Sequence, residues 1–403
     1  MTPPFAFSSI PTIDLSLANS PTTKPALLQK LHNALVSVGF LYVSNHGVPE
    51  NVIADLVNVI PQLFSLPEAA KDEIALRNSP HFLGYSGVGA ETTRGIADRR
   101  EQVEFATELD VTYEPGKPLY ERLRGPNQVH TYNFGHLPIY PMLLHTDIIN
   151  SEHTNTHIKQ TTTQWPSHLP TVKPIVQSYI SHLTSLGERF LHLVAEALSL
   201  PPKTFLPFLS DQHRLKLVRY PGTTTPTADP GETTIQGVGP HKDSSGWWTF
   251  LLQASPPSVK GLQALNKAGD WIDVPCVPGT FVVNIGQAFE VATNGVCKAT
   301  THRVVMQPGS AERFSVPFFQ GVRRDLTKDE AVGRLRGQFL EVGLLGGGGS
   351  GEESEEGREI DSPFLKGKYD TWGESQLRTK VRSHREVGRR FYGEVFEMYV
   401  NDD

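Results

Sequence analysis

Apolar residues in the first part of the chain recur at two different spacings. Residues 27–38 carry leucine, alanine and valine three and four positions apart, which is the spacing of an amphipathic helix. A second helix is expected over residues 51–64, because Leu66-Pro67 follows and proline marks a stop. The apolar runs PTIDLS, residues 11–16, and GFLYVS, residues 39–44, predict one strand before each helix.

The middle of the chain predicts one long helix followed by a β-rich region. The helix opens at Pro174 and ends near LSLPP, residues 198–202, and its apolar stripe is expected to face a sheet. Residues 215–320 consist of short runs rich in Val, Ile, Phe, Trp and Thr, broken by PG, GP, AGD and NG turns. This pattern is typical of an antiparallel sandwich or barrel. Helical spacing returns over residues 377–398.

Two polar segments interrupt these patterns. Residues 130–165 are rich in His and Thr with weak periodicity, which indicates a surface insertion. The segment GGGGSGEESEEG, residues 346–357, is acidic and has no apolar surface to bury, which predicts a flexible loop. The predicted regions are an N-terminal region at 1–125, an insertion at 126–170, a core at 171–335, a loop at 336–360 and a C-terminal helical segment at 361–403.

Composition narrows the classes of partner. The 37 Lys and Arg against 43 Asp and Glu give a net charge of −6, and the two signs are mixed along the chain. We therefore expect neither nucleic acid nor a membrane surface as partner. Cys276 and Cys297 lack any metal-ligand spacing and are expected to be buried thiols. With no leader pattern and no run of 18 apolar residues, we expect a cytoplasmic protein, and a monomer.

The stretch GPHKDSSGWWTFLLQ, residues 239–253, carries candidate chemistry. In a strand His241 and Asp243 would share a face, with Lys242 turned outward. This pair alone is more often structural than functional. A non-haem Fe(II) site needs two histidines and one carboxylate, with open positions opposite them. His302, in KATTHRVV, is a suitable second histidine, and we expect it on a return strand of the opposite sheet.

A second pattern follows His302 closely. Arg313 and Ser315 would share one face of a strand, where a guanidinium fork beside a hydroxyl suits a carboxylate. Continuing the alternation, Pro317 and Phe319 would extend the same face as an apolar wall. Metal site, anion site and apolar wall would then line one cavity.

These motifs together resemble the isopenicillin N synthase-like branch of the Fe(II)/2-oxoglutarate-dependent dioxygenases. The matching segments, in the family's order, include IPTIDLS, GFLYVSNHGVP, LVRYPG, GPHKDSSGWWTFLLQ, GTFVVNIG, ATTHRV and RFSVPFF. The resemblance extends from about Ile10 to Gln320 and excludes the two polar segments. It implies a mixed α and β fold: a double-stranded β-helix, or jelly-roll, core with flanking N- and C-terminal helices.

The resemblance also implies roles for individual residues. His241, Asp243 and His302 match the iron ligands, and Arg313 and Ser315 match the pair that holds the distal carboxylate of 2-oxoglutarate. The further candidates are Tyr220, which either joins this clamp or packs in the core; Phe319, expected in the substrate pocket; and Trp247, a pocket candidate for which packing is the competing interpretation. Glu91, Arg94 and Arg100 fall in a segment that can cover the barrel mouth, where we favour a solvated lid over substrate selection.

By this resemblance the protein is an enzyme that uses Fe(II), O₂ and 2-oxoglutarate. It would hydroxylate or desaturate a small organic molecule of secondary metabolism and release succinate and CO₂. One alternative is an isopenicillin N synthase-type oxidase that needs no 2-oxoglutarate, since the RYP form at Tyr220 is close to that enzyme. The resting site of that enzyme takes a glutamine from the extreme C-terminus. The last glutamine of this chain is Gln376, far from the C-terminus, which argues against this alternative. Another alternative is a catalytically silent binding protein. The complete set of three metal ligands argues against it, because a binding protein has no use for open iron positions.

Overall fold

The computed structural model describes residues 6–93, 95–127, 165–223, 235–244, 246–344, 360, 362, 364–365 and 369–401. Most of the predicted insertion, residues 128–164, lies outside the described residues, and so does most of the predicted acidic loop, residues 345–359. The division of the chain into five regions therefore stays a prediction for those segments.

Helices lie at both ends of the described chain and before the β-rich region. The long predicted helix begins at Val172, two residues before Pro174. The helices are α1 Lys24–Asn33, α2 Glu50–Phe64, α3 Glu68–Glu73, α4 Val172–Ala197, α5 Gln287–Ala292, α6 Lys328–Glu341, α7 Trp372–Ser383, α8 Arg385–Phe391 and α9 Gly393–Val400.

Within the described part of the chain, the strands form two larger sheets and one hairpin. They are β1 Thr12–Asp14, β2 Phe40–Ser44, β3 Gly84–Ser86, β4 Thr92–Thr93, β5 Ile96–Ala97, β6 Glu101–Ala106, β7 Arg214–Tyr220, β8 Ile235–His241, β9 Gly246–Gln253, β10 Leu262–Leu265, β11 Trp271–Asp273, β12 Thr280–Ile285, β13 His302–Met306 and β14 Arg313–Gly321. The major sheet has the order β1-β2-β12-β9-β14-β7-β6-β3, the minor sheet β11-β10-β13-β8, and β4 pairs with β5. Apart from the parallel pair β1-β2, these strands pair antiparallel.

Strand β9 shows how the sequence separates core from cavity. Trp248 and Phe250 point to one face, where Phe190 of α4 meets both rings edge-on at centroid distances of 5.1 and 5.6 Å. Such aromatic pairs contribute about 0.5–1.5 kcal/mol each beyond the area they bury. Thr249 and Leu251 point to the opposite face and line a cavity between the two larger sheets. The helical layer thus covers one side of the major sheet and leaves the other side for a site.

The N-terminal region is built into the barrel rather than packed on it. Strand β2 pairs with β12, and β6 pairs with β7 in a register that places Glu104 opposite Lys216. The link between α1 and β2 depends on Gly39, whose φ of 72° is left-handed and whose added Cβ would lie 2.2 Å from the Lys298 carbonyl oxygen.

The predicted boundary between core and loop at residue 335 is wrong, because it cuts α6. This helix continues to Glu341, and Phe339 beyond the boundary is fully buried in the main core. The predicted C-terminal helical spacing over 377–398 is present as α7, α8 and α9, which bury Leu377 and Phe396, while Met398 at the end of the pattern is exposed.

Candidate active site

Three donors meet at one point on the wall of the cavity. His241, Asp243 and His302 present ligand atoms that all lie within 4.8 Å of one another. The Nε2 atom of each histidine is 3.6 Å from Asp243 Oδ1. His241 Nδ1 lies 2.8 Å from the Gly239 carbonyl oxygen, and His302 Nδ1 lies 3.1 Å from that of Thr300. Because each Nδ1 can donate its proton to a carbonyl, each Nε2 is left with a lone pair for a metal.

The two histidines are neighbours for a reason the sequence did not reveal. We predicted His302 on the opposite sheet, and this is wrong: β13 pairs directly with β8, and His302 stands in register with His241. The prediction of Asp243 on the same strand as His241 is also wrong, since β8 ends at His241. Lys242 does not turn outward; it lines the cavity, and its amine is 3.0 Å from Glu290 Oε2.

Asp243 is positioned by two side chains from the major sheet. The Thr249 hydroxyl donates to Asp243 Oδ2 at 2.5 Å, and Asn284 Nδ2 donates to the same oxygen at 2.7 Å. Oδ1 is thereby left facing both imidazoles. Sequence reasoning missed both donors, although Thr249 lies in the stretch that carries Asp243 and Asn284 lies in the GTFVVNIG segment.

The protonation states suit a divalent cation. Burial, and then the adjacent His302 imidazole, lower the pKa of His241, so this ring is neutral at pH 7. Burial raises the pKa of Asp243, but the two imidazoles and the bonds from Thr249 and Asn284 outweigh it and the pKa is lowered. The cluster therefore offers two imidazole nitrogens and one carboxylate, which is the donor set of non-haem Fe(II) sites.

A buried cation lies deeper in the same cavity. Arg313 is 1% exposed, and its Nη2 donates to Gln253 Oε1 at 3.1 Å. Its Nη1 has no hydrogen-bond partner among the described residues. The guanidinium carbon is 5.1 Å from the Tyr220 ring centroid, and Ser315 lines the cavity beside it. A buried guanidinium with an unused donor calls for an acceptor, and a carboxylate fits this position.

The two aromatic pocket candidates have different locations. Phe319 lines the cavity, as the alternation from Arg313 predicted. Trp247 does not: it is fully buried and packs against Phe205, Phe208 and Phe289 at centroid distances of 5.3 to 6.1 Å. Trp247 lies near the start of β9, on the same face as Thr249 and Leu251. These three phenylalanine rings cover that face at Trp247, whereas further along the strand the face is open to the cavity. Trp247 is therefore a packing residue.

The mouth of the cavity is charged and largely buried. The interpretation of this segment as a solvated lid is wrong for Glu91, which is 8% exposed and lies 2.5 Å from Arg100 Nη2 and 2.8 Å from His384 Nε2. Arg94 lies outside the described residues. His384 follows α7, so the C-terminal helical segment contributes to the cavity wall. The spacing of residues within the C-terminal segment could not indicate this contact with a distant part of the chain.

Comparisons with known proteins decide the family. The model described as the non-haem dioxygenase in morphine synthesis N-terminal matches residues 10–132, and that of the 2OG-Fe(II) oxygenase superfamily matches residues 212–322. The 2-oxoglutarate-dependent dioxygenase frbJ of Dothideomycetidae sp. is 36% identical over 395 residues, covering 96% of this chain and 92% of the relative. The chain belongs to the 2OG-Fe(II) oxygenase superfamily.

A further relative and two solved structures are also similar to this chain. A 2-oxoglutarate-dependent dioxygenase of Gibberella zeae is 34% identical, covering 81% of this chain and 78% of the relative. The structure of a full-length Neurospora crassa protein in complex with alpha-KG and thymine superposes with a TM-score of 0.60 at 20% identity, covering 96% and 97% of the two chains. A putative 2OG-Fe(II) oxygenase of Caulobacter crescentus gives a TM-score of 0.57 at 23% identity, covering 84% and 99%.

Several predictions about the whole chain are thereby confirmed. The fold is the mixed α and β jelly roll, and the protein is a 2-oxoglutarate-dependent dioxygenase that uses Fe(II), 2-oxoglutarate and O₂. Neither the oxidase alternative nor the silent binding protein is favoured by these relatives. Among the described residues, no helix combines the length and apolar character needed to cross a membrane.

Proposed function

We propose that this enzyme hydroxylates or desaturates a small organic molecule, with Fe(II) held by His241, Asp243 and His302. The observation that carries the proposal is the meeting of two Nε2 lone pairs and one oriented carboxylate oxygen on the wall of a cavity. The three donors come from one side, so the opposite side of a bound ion stays open to exogenous ligands. In the presence of 2-oxoglutarate and O₂, bound Fe(II) supplies the oxidation of a substrate C–H bond, with succinate and CO₂ as coproducts.

Arg313 and Ser315 would receive the distal carboxylate of 2-oxoglutarate. The supporting observation is Arg313 Nη1, a buried donor with no partner among the described residues. Gln253 holds the other terminal nitrogen and so fixes the plane of the guanidinium. Tyr220, whose ring lies against this guanidinium, completes the polar end of the cavity. A preorganised fork of this kind binds a carboxylate without a further entropy cost for the arginine.

Other side chains would orient the reactants and exclude water. Thr249 and Asn284 keep one carboxylate oxygen of Asp243 aimed at the ion. Phe319 and Pro317 line the cavity beyond the carboxylate clamp, where an apolar part of the substrate would pack. These residues select which C–H bond faces the oxidising centre, whereas the cofactor carries the chemistry itself.

The substrate is proposed to belong to secondary metabolism, and the enzyme to act as a cytoplasmic monomer. Relatives support a small molecule: the homoarginine-6-hydroxylase 2-ODD-C23 of Glycine max is 30% identical, covering 78% of this chain and 85% of the relative. The mixing of positive and negative residues along the chain supports the absence of nucleic acid or anionic membrane partners.

Oxygen uptake and succinate release from the Fe(II)-loaded enzyme test the proposal. A metabolite library is offered with and without 2-oxoglutarate, and succinate release at full rate is expected only when both 2-oxoglutarate and a suitable substrate are present. Product formation that is unaffected by omitting 2-oxoglutarate would overturn the proposal in favour of the oxidase. Product formation that survives Asp243→Ala would overturn the assignment of the site.

A further inference from the structure

The outer half of the cavity carries an unusual density of buried charge. These side chains come from the β4-β5 hairpin and its flanks, from β6 and β7, and from α7. Apart from the metal and cosubstrate residues and the Lys242–Glu290 ion pair, the described residues that line the cavity include four cationic side chains and three carboxylates. They are Arg100, Arg214, Lys216, Lys380, Glu91, Asp98 and Glu104.

Glu91 and Glu104, two of these three carboxylates, are already occupied by partners. Glu104, which is 1% exposed, lies 2.6 Å from Arg214 Nη1 and 2.7 and 2.9 Å from Lys380 Nζ. Glu91 receives Arg100 and His384 at short distances. At either of these two carboxylates, a cationic group of a substrate would therefore have to displace an existing ion pair.

Lys216 is the cation held most loosely. Its Nζ lies 3.4 Å from Glu91 Oε1 and 3.6 Å from Glu104 Oε2, so it keeps donors for another acceptor. It stands on β7 between Arg214 and Val218, which also line the cavity, and its side chain is 13% exposed. The ammonium group is thus placed inside the cavity with little water to solvate it.

The balance of charge favours an incoming anion. Among the described lining residues of this outer half, one positive charge is in excess, and a buried unbalanced charge is costly. Crowding of cations is visible at Lys380: burial, with Arg214 and Lys216, lowers its pKa to about 8 although Glu104 opposes the shift. At the inner end the two negative charges of bound 2-oxoglutarate and that of Asp243 would offset a ferrous ion and Arg313. The excess therefore belongs to the substrate half.

We propose that the substrate carries a single carboxylate group and that Lys216 receives it, under the cover of α7. The proposal rests on the proposed function, because it assigns the substrate class of the same cavity. The carboxylate would lie at the Lys216 end, and the apolar remainder would pass Pro317 and Phe319 toward the metal ligands. A neutral analogue would leave the one excess positive charge of this half without a counter-charge.

A matched ligand panel tests this without requiring turnover. Carboxylic acids with apolar or weakly polar tails, each paired with its primary amide, are titrated into enzyme loaded with Mn(II) and saturated with 2-oxoglutarate, and Kd is measured by the rise in Tm. Acids are expected to bind about tenfold or more tightly than their amides, since a charge-assisted hydrogen bond to a buried ammonium is lost in the amide.

Three variants make the outcome specific. Lys216→Met should reduce the acid-over-amide preference to less than twofold, Lys216→Arg should keep most of it, and Lys267→Met, at an exposed turn, should leave it unchanged. Equal binding of acids and amides, binding by no acid, or a preference that survives Lys216→Met would overturn the inference. A rise in Tm with Mn(II) and 2-oxoglutarate shows in each variant that the cosubstrate site is intact; its absence in the unaltered enzyme would instead refute the proposed function.

Discussion

Thr249→Val isolates the contribution of one hydrogen bond to the iron site. The substitution is nearly isosteric and removes the hydroxyl that donates to Asp243 Oδ2 at 2.5 Å. Asn284 Nδ2 remains as the other donor to this oxygen. The carboxylate then loses one of two restraints on its orientation and part of the stabilisation of its charge.

The expected loss follows from this geometry. Partners that orient metal ligands typically change metal affinity 10- to 100-fold, or about 1.4–2.7 kcal/mol, when they are removed. The Thr249 bond lowers the pKa of Asp243, so the variant carboxyl should also have a higher pKa, and protons should compete better with metal. Because the pKa of Asp243 lies below its ordinary value in the unaltered chain, this competition should matter only at more acidic pH, and the affinity deficit should stay constant between pH 7 and 5.

An anaerobic Fe(II) titration against a competing chelator at these pH values measures both the affinity deficit and its constancy. The matched control is Thr204→Val, which removes a hydroxyl bonded to the Pro201 carbonyl oxygen, away from the cavity. Fe(II) affinity within twofold of the unaltered enzyme, or an equal loss in Thr204→Val, would refute the reasoning that Thr249 positions the ligand carboxylate.

Three further predictions follow from buried charges and histidines. Arg313→Met should raise the Kd of 2-oxoglutarate in calorimetry by about 10- to 100-fold, because the charge-assisted bond from the guanidinium is lost, and an unchanged Kd would disprove the clamp. Glu104→Gln should lower the free energy of unfolding in urea by about 3–5 kcal/mol, because it leaves buried cations unpaired; a loss below about 1 kcal/mol would argue against the network. Burial lowers the pKa of His81 and His213 to about 4, from 6.5. Because each folded-state pKa lies below the unfolded value, the free energy of unfolding should fall as the pH is lowered from about 6.5 to 4, by about 3 kcal/mol per histidine. Urea unfolding at a series of pH values measures this loss, and a free energy of unfolding that stays constant across the range would contradict the prediction.

The inner half of the site could be predicted from the sequence because its residues lie in strands with two-residue alternation. Arg313, Ser315 and Phe319 share a face of β14 in the structure as the alternation requires. Residue type and β-branched neighbours identified His302 as a ligand candidate in a strand, but they did not indicate which sheet that strand belongs to. Which strands become hydrogen-bonded neighbours in a jelly roll depends on long-range topology, and local spacing carries no information about it.

The outer half could not be found in this way. Glu104, Lys216 and Lys380 come from three separate segments, and charged residues in isolation are most simply explained as solvated. Their proximity becomes apparent only in the folded chain, where Lys380 of α7 contacts Glu104 of β6. Asp243 illustrates the same limit within one segment: its place near the metal depends on bonds to Thr249 and Asn284 rather than on strand alternation.

Trp247 shows why alternation is least informative at the end of a strand. The residue shares its parity with Thr249 and Leu251, which line the cavity, and on that basis it was a pocket candidate. At the start of β9, however, Phe205 and Phe289 from flanking segments close around the indole. The aromatic contacts of neighbouring elements therefore decide its environment.

Iron content of the purified enzyme and its Asp243→Ala variant is the most direct test of the central claim. After anaerobic reconstitution with Fe(II) and removal of excess metal, the unaltered chain should retain one Fe(II) per chain, and 2-oxoglutarate should bind to that form. Asp243→Ala should retain none, because the only carboxylate of the donor set at this site is missing. Equal iron retention by the two proteins, with succinate release preserved in the variant, would contradict the account.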